Sequence, residues 1–327
     1  MAIWKGFSAV TSRFLNRSRV EAKGMLQLLL LDIGNTNTHV GWAQGKRILR
    51  QVDIPTSSWA SGKAIVALKR FVGSATVDGA SLCSVVPWVT PLAIDALRRG
   101  WHVEPLTLTH RTLKGVGIDY PKPATIGPDR LSNALAVHQR FGAPSLVVDF
   151  GTAVTFDVVD RRGKYVGGII APGLAAMTDY LHEKTALLPR IRIREVRKVV
   201  GKNTEQAMLI GAVRGYRGLV RELILQIKAE LRTRNLPVIA TGGYARLMAA
   251  GLPEITAVEP LLTLEGLRLL WTTVASSVSA HPPPDHPIRT TLQKSDCVGA
   301  HGAIRPVMKK KLDRILMRRE RSGKRRN

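Results

Sequence analysis

One short pattern occurs twice in this chain, and it constrains the fold more than any other feature. The apolar run Leu28–Leu31 leads into Asp32-Ile33-Gly34-Asn35-Thr36-Asn37, and Leu146–Val148 leads into Asp149-Phe150-Gly151-Thr152. Behind each lies a second strand-like run (His39–Trp42; Val154–Val159), a charged turn containing glycine, and a third run. The shared unit is strand, Asp-x-Gly with hydroxyls behind it, strand, turn, strand. Long-period self-similarity marks repeated structural units. It predicts two similar domains, each with one β-hairpin able to grip a phosphate.

Length and composition allow this. The 327 residues suffice for two domains of roughly 100–200 residues each. A hydrophobic content of 45% excludes global disorder, and with only 5% aromatics the core must be mostly aliphatic. From Met25 to about Trp271, apolar runs alternate with longer helical patterns, which predicts an α/β architecture. No apolar run approaches the ~20 residues of a membrane span, so no membrane partner is expected. Cys83 and Cys297 have neither metal-binding spacing nor a disulfide framework, which fits a reducing, cytoplasmic compartment. His281-Pro-Pro-Pro-Asp-His-Pro287 breaks any helix and marks the end of the packed body.

The formal charge of +25 is unusual, and about half the excess sits in the flanks. Residues 1–24 hold five Lys/Arg against one acid, and residues 276–327 hold thirteen against four. The preferred reading is a solvated tail at each end, over an arm that binds nucleic acid or anionic lipid. The first 24 residues also share the composition of a transit sequence but lack the apolar stretch of a secretory signal. A loose extension, or translation starting at Met25, is the simpler account. The expected organisation is therefore a basic extension 1–24, domains 25–143 and 144–275, and a Pro-containing, basic, disordered extension 276–327.

The first unit carries the clearest chemistry. Gly34 in a tight strand-to-strand turn lets the backbone approach a phosphate without a Cβ in the way. Asn35, Thr36 and Asn37 can donate hydrogen bonds to phosphate oxygens. Asp32 cannot, and beside phosphates it makes sense only with a cation such as Mg²⁺ between, directly or through water. A single such loop could be an ordinary Asn/Gly turn; two at domain spacing argue otherwise. In the second unit, Gly151 and Thr152 would grip the phosphates from the opposite side, and Asp149 again suits a cation. Asp157 shares a strand face with Thr155 and is expected to be a surface residue of the hairpin. Thr241-Gly242-Gly243 ends an apolar strand, where a Gly-Gly pair lets the chain pass under a nucleotide's adenine and ribose.

Between the units lies Gly127-Pro128-Asp129-Arg130, at the start of a helical pattern. Proline at the first helical position and an acid beside it suit a helix mouth on structural grounds alone. Arg130 is not so explained. Asp129 and Arg130 together suggest a base for a hydroxyl proton and a fork for a substrate anion. Phosphoryl transfer needs little more than positioning, charge neutralisation and a hydroxyl-orienting acid. Thr185 could contact substrate or simply cap the turn before Pro189. His39 and His182 are expected to be structural. No Walker loop, zinc spacing or Ser/His/Asp order is present.

These residues together resemble the type III pantothenate kinase family over about Met25 to Trp271. DIGNTN (Asp32–Asn37), GPDR (Gly127–Arg130), DFGTAVTFD (Asp149–Asp157) and TGG (Thr241–Gly243) fall in the family's order. So do Tyr120 with Pro123, GGIIAPG (Gly167–Gly173), KTALLP (Lys184–Pro189) and GKNTEQAMLIGAVRGY (Gly201–Tyr216). The resemblance implies two duplicated ribonuclease H-like domains of the acetate and sugar kinase/Hsp70/actin type, with a cleft between them. It implies ATP-dependent phosphorylation of pantothenate, the first step of coenzyme A synthesis, by a homodimer with sites near the subunit interface. It further implies Mg²⁺ and a monovalent cation, potassium or ammonium.

By the same resemblance Asp129 accepts the pantothenate hydroxyl proton, and Tyr120, Gly127, Pro128, Arg130 and Thr185 contact pantothenate. Asp149 ligates potassium. Asp32, Ile33, Gly34, Asn35, Thr36, Asn37, Thr152, Gly242 and Gly243 form the ATP side. Pro128 departs from the family, which usually has a small residue there; with Asp129 and Arg130 kept, retained activity is expected, and acceptor affinity is the property at risk. Two other readings are open to such a chain: a sugar or other small alcohol as acceptor, and a non-enzymatic role. The acceptor-side residues Tyr120, Arg130 and Thr185 speak against the first. The three acids Asp32, Asp129 and Asp149 speak against the second, since a binding module has no need of them.

Overall fold

The computed structural model of the protein describes residues 25–280. The expected extension 1–24 and the stretch from His281 onward, including the basic tail and Cys297, lie outside the described residues.

Strands β1 (Gln27–Ile33), β2 (Asn37–Gln44) and β3 (Arg47–Pro55) form an antiparallel meander. On the other side of β1, β4 (Gly79–Ser84) and β5 (Leu106–Thr107) continue the sheet in parallel, giving the order β3-β2-β1-β4-β5. The second sheet repeats this with β7 (Ser145–Phe150), β8 (Ala153–Val159) and β9 (Lys164–Pro172) as the meander. Strands β10 (Val238–Thr241) and β11 (Ala257–Val258) are its parallel extension. A short β6 (Gly117–Ile118) adds to the outer edge beside β9, so the full order is β11-β10-β7-β8-β9-β6. Both hairpins even bulge at corresponding places, between Trp42 and Ala43 and between Val158 and Val159. The expected duplication of a ribonuclease H-like unit is thus present strand for strand.

The inner strands are apolar throughout because both faces of each sheet are covered. Along β1, Leu29, Leu31 and Ile33 point to an outer core against helices α1 (Lys63–Val72) and α2 (Thr90–Trp101), while Leu28 and Leu30 point to a central core. Along β7, Val147 faces that central core, and Leu146, Val148 and Phe150 face a second outer one. The period-two alternation therefore divides one apolar run between two cores. Each fully buried Leu contributes roughly 1.5–3 kcal/mol.

Two helices fill the space between the sheets: α3 (Pro128–Phe141) and α8 (Leu262–Ala280). Being enclosed, α3 is buried continuously from Leu131 to Val137. The two helices approach so closely that a Cβ on Gly266 would lie 2.1 Å from the Ser132 carbonyl oxygen. Ser132 Oγ donates to the Thr263 carbonyl at 2.7 Å across the same crossing. On the far side of the second sheet lie α4 (Leu174–Lys184), α5 (Thr204–Ile210), α6 (Tyr216–Glu230) and α7 (Ala245–Ala249), with a π-helical turn at Gly211–Gly215 between α5 and α6. All described residues belong to one compact unit. Helix α8 extends to Ala280, past residue 275, where the second domain was expected to end.

Candidate functional site

The β1–β2 turn is held from below by the end of β3. Gly34 N–H closes the turn on the Asn37 carbonyl at 3.0 Å. Thr56, just beyond β3, donates Oγ1–H to the Gly34 carbonyl at 2.7 Å and N–H to the Thr36 carbonyl at 2.9 Å. Thr56 is buried and shares its hydroxyl with Thr38, which accepts from the Trp59 indole. Asn35 and Thr36 stand exposed at the tip, whereas the Ile33 side chain lies in the outer core. The β7–β8 turn is built likewise: Gly151 N–H donates to the Ala153 carbonyl at 3.1 Å, and Thr152 is exposed. Thr36 Oγ1 and Thr152 Oγ1 lie 3.1 Å apart. The two predicted phosphate loops thus face each other.

The third glycine motif joins them. Thr241 pairs in register with Asp149, and Gly242 adopts a φ of +87° that favours glycine. A Cβ there would lie 2.5 Å from Asp149 Oδ1, so position 242 also needs glycine for space. Gly243 is exposed, with open space where a side chain would be.

Opposite these loops α3 begins. Gly127 is its N-cap and Pro128 its first residue, where the missing N–H forms no helical bond in any case. Asp129 Oδ1 accepts the Arg130 amide at 2.9 Å. Its charge acts on Asp32 and Asp149, so the three acids separated in sequence share one field. Burial pushes the Asp32 carboxyl up to about 7, with Asp129 adding to the rise. Burial pushes Asp149 up to about 6, against the pull of its hydrogen bond from Asn133. Asp129 is likewise raised by burial, against the Arg130 amide and guanidinium. Anions crowded out of water in this way favour a proton or a cation among them.

Behind this face stand residues that sequence reasoning did not assign. Cys83, buried on β4, hydrogen-bonds Asp32 Oδ1 through Sγ at 3.3 Å. Thr263 of α8 donates to Asn133 Oδ1 at 2.9 Å, and Asn133 Nδ2 donates to Asp149 Oδ2 at 3.1 Å. That relay fixes one oxygen of Asp149.

Asp157 corrects an expectation. It is not a surface residue: its side chain is 0% exposed, and Arg130 Nε donates to its Oδ1 at 2.6 Å. Burial pushes this carboxyl up to about 7, while Arg130 opposes the rise. Arg130 is itself raised by the Asp157 charge, against burial, and the pair stands as an ion pair. The clue lay in the sequence: Asp157 interrupts an otherwise apolar strand, and a charge in such a strand needs a partner. The Arg130 guanidinium lies 5.8 Å from the Tyr165 ring, which pairs with the Tyr120 ring at 6.2 Å. Tyr120, Arg130 and Asp129 are therefore brought together.

Thr185 is not joined to them. Its Oγ1 donates to the Leu181 carbonyl at 2.8 Å and accepts the Leu188 amide at 3.3 Å, the turn-capping role that sequence allowed. His182 hydrogen-bonds the Leu188 carbonyl through Nδ1, and His39 pairs with Asp53. Among the described residues, no three His, Cys, Asp or Glu side chains form a ready-made metal site, and no helix is long and apolar enough to cross a membrane.

The profile of the type III pantothenate kinase family matches residues 28–226. The type III pantothenate kinase of Akkermansia muciniphila is 44% identical over 242 residues, which are 74% of this chain and 96% of that protein. That of Methylacidiphilum infernorum is 41% identical over 245 residues, 74% of this chain and 87% of that protein. That of Roseiflexus sp. strain RS-1 is 40% identical over 250 residues, 75% and 98%.

Proposed function

The chain belongs to the type III pantothenate kinase family, and from that premise we propose how its residues divide the work. The protein phosphorylates pantothenate with ATP, in the biosynthesis of coenzyme A. The single observation behind the division of roles is the meeting of Thr36 with Thr152 beside the field of Asp129.

On this reading the ATP phosphates lie between the two turns. The amides of Gly34 and Gly151 close their own turns, so the hydroxyls of Thr36 and Thr152 and the side chains of Asn35 and Asn37 supply the grip. Gly242 lets the chain pack directly against Asp149, and Gly243, with open space where a side chain would be, leaves room for the nucleoside. Asp129 takes the proton of the pantothenate hydroxyl as its oxygen bonds to the γ-phosphorus and the bond to the ADP oxygen breaks. A carboxyl raised by burial is a better proton acceptor than an ordinary one. Tyr120, Gly127, Pro128 and Arg130 line the acceptor side.

The raised carboxyls of Asp32 and Asp149 fit cations, because a positive charge relieves both burial and mutual repulsion. Asp32 would hold Mg²⁺, directly or through water, and Asp149 the monovalent cation, potassium or ammonium. Bound there, the cations supply neutralisation of phosphate charge.

A homodimer would account for the exposed apolar residues of one stretch of the chain: Ile170 on β9, Met177, Tyr180 and Leu181 on α4, and Leu187 after it, the last 90% exposed. Thr185 lies in the same stretch, so a second copy covering it would bring Thr185 to an interface. A cytoplasmic location fits a soluble-substrate reaction of this kind.

The test is ATP-dependent phosphorylation of pantothenate with Mg²⁺, with and without K⁺, comparing wild type with Asp129→Asn. Potassium-dependent turnover that falls by roughly 10²–10⁴ in the variant supports these roles. Undiminished turnover in the variant removes Asp129 as the proton acceptor, and turnover indifferent to K⁺ removes the monovalent cation.

A further inference from the structure

Among the described residues, Asp157 is the one fully buried acid that the division of roles above does not use. It sits on β8 between Phe156 and Val158, in a strand buried on both faces from Phe156 to Val159. A carboxylate kept there without a partner is strongly unfavourable, and well-packed apolar residues often replace such ion pairs without loss of stability. Stability alone therefore gives no reason for the charge. Its geometry does.

Arg130 presents one edge of its guanidinium to this wall. Nε donates to Asp157 Oδ1 at 2.6 Å, and Nη2 donates to the Phe156 carbonyl at 3.1 Å. The Tyr165 ring lies under the same group, with its hydroxyl 3.5 Å from Asp157 Oδ1, and Thr155 Oγ1 donates to Oδ2 at 3.3 Å. A guanidinium has five N–H donors. With the Nε edge occupied, Nη1 and the second hydrogen of Nη2 remain as a parallel pair at the other edge. That pair is the fork suited to two acceptor oxygens. Arg130 also adjoins Asp129, whose carboxylate competes for the same guanidinium. Anchored on Asp157, the guanidinium is kept from folding onto Asp129.

We infer that Asp157 is a positioning residue for the acceptor side: it locks Arg130 edge-on so that the free fork faces the acceptor substrate and Asp129 stays unpaired. This rests on the reading of Arg130 as a pantothenate contact, and the experiment separates the two.

In the full-length protein, KM for pantothenate, KM for ATP and kcat are measured for Asp157→Asn, Asp157→Ala, Arg130→Ala and the double variant Arg130→Ala/Asp157→Ala. Losing a hydrogen bond to a charged group predicts a rise of roughly 10–100-fold in KM for pantothenate in Arg130→Ala and Asp157→Ala, with KM for ATP unchanged. Asp157→Asn keeps an acceptor for Nε and should fall between wild type and Asp157→Ala. The double variant should be no worse than Arg130→Ala, because Asp157 acts through Arg130. Additive losses, or equal rises for ATP and pantothenate, mean a general structural role and overturn the inference. If Asp157→Ala does not fold, Asp157→Asn carries the same comparison. An unchanged KM for pantothenate in Arg130→Ala takes down the reading of Arg130 and the inference together. A normal KM in the Asp157 variants beside a raised one in Arg130→Ala takes down the inference alone.

Discussion

Thr36 Oγ1 and Thr152 Oγ1 stand 3.1 Å apart, one at the tip of each duplicated hairpin. Each hydroxyl can turn its proton toward the other or toward a phosphate lying against both. A hydrogen bond to a charged group contributes about 1.5–3 kcal/mol, so Thr36→Val and Thr152→Val should each raise KM for ATP by roughly tenfold or more. Because the two act on one ligand, the double variant should be less than additive. Steady-state kinetics with ATP varied decides this, and fully additive losses would mean separate roles.

The buried carboxyls give the ligand-free protein a defined pH dependence. Asp32 rises to about 7 and Asp149 to about 6, from an ordinary 3.8. Between these limits the folded chain holds protons that the unfolded chain has released. Their contribution is therefore full below pH ~4 and is lost as pH rises through about 7. Denaturant titrations across that range should show declining stability. Adding ATP with Mg²⁺ and K⁺ should reduce the decline, because cations take the place of the protons.

Thr56 sits outside every motif yet bears on the first phosphate turn through two hydrogen bonds. Thr56→Val keeps the shape and removes the hydroxyl, leaving the Gly34 carbonyl without that donor. A loss of about 1 kcal/mol in stability is expected, with a several-fold rise in KM for ATP and little change for pantothenate. Equal changes for both substrates would show that Thr56 supports the fold and not the turn.

Gly266→Ala places a methyl where the Ser132 carbonyl already stands. Overpacking of this kind costs typically 1–3 kcal/mol, and here backbone has to move. A drop in Tm of several degrees is expected. Because Ser132 and Asn133 adjoin on α3, turnover should fall further than stability does; a normal kcat at the lowered Tm would uncouple the crossing from the site.

What could be read from sequence was local. Asp32–Asn37 and Asp149–Thr152 are turn chemistry within a few residues, and their repetition carried the fold. Pro128 with Asp129 marked a helix start that α3 confirms. The pairing of Asp157 with Arg130 was hidden because the partners lie on different elements and because surface exposure was assumed from strand alternation, which fails where both faces are covered. Thr56, Asn133 and Cys83 were hidden for a related reason: each has an ordinary role in its own segment and acquires another only when a distant strand or helix is laid against it.

Helix α8 has a consequence for how the chain is made. It emerges last among the described elements, yet Leu264, Leu267 and Trp271 cover a core begun by Leu28 and Leu30, and Trp271 lies against Gly79. Until its residues leave the ribosome, the inner faces of the first sheet and of α3 have no lid. The outer layers can assemble as they appear; the central one has to wait, holding a bare apolar surface through most of translation. Shielding of Trp271 therefore marks the moment at which the central core closes.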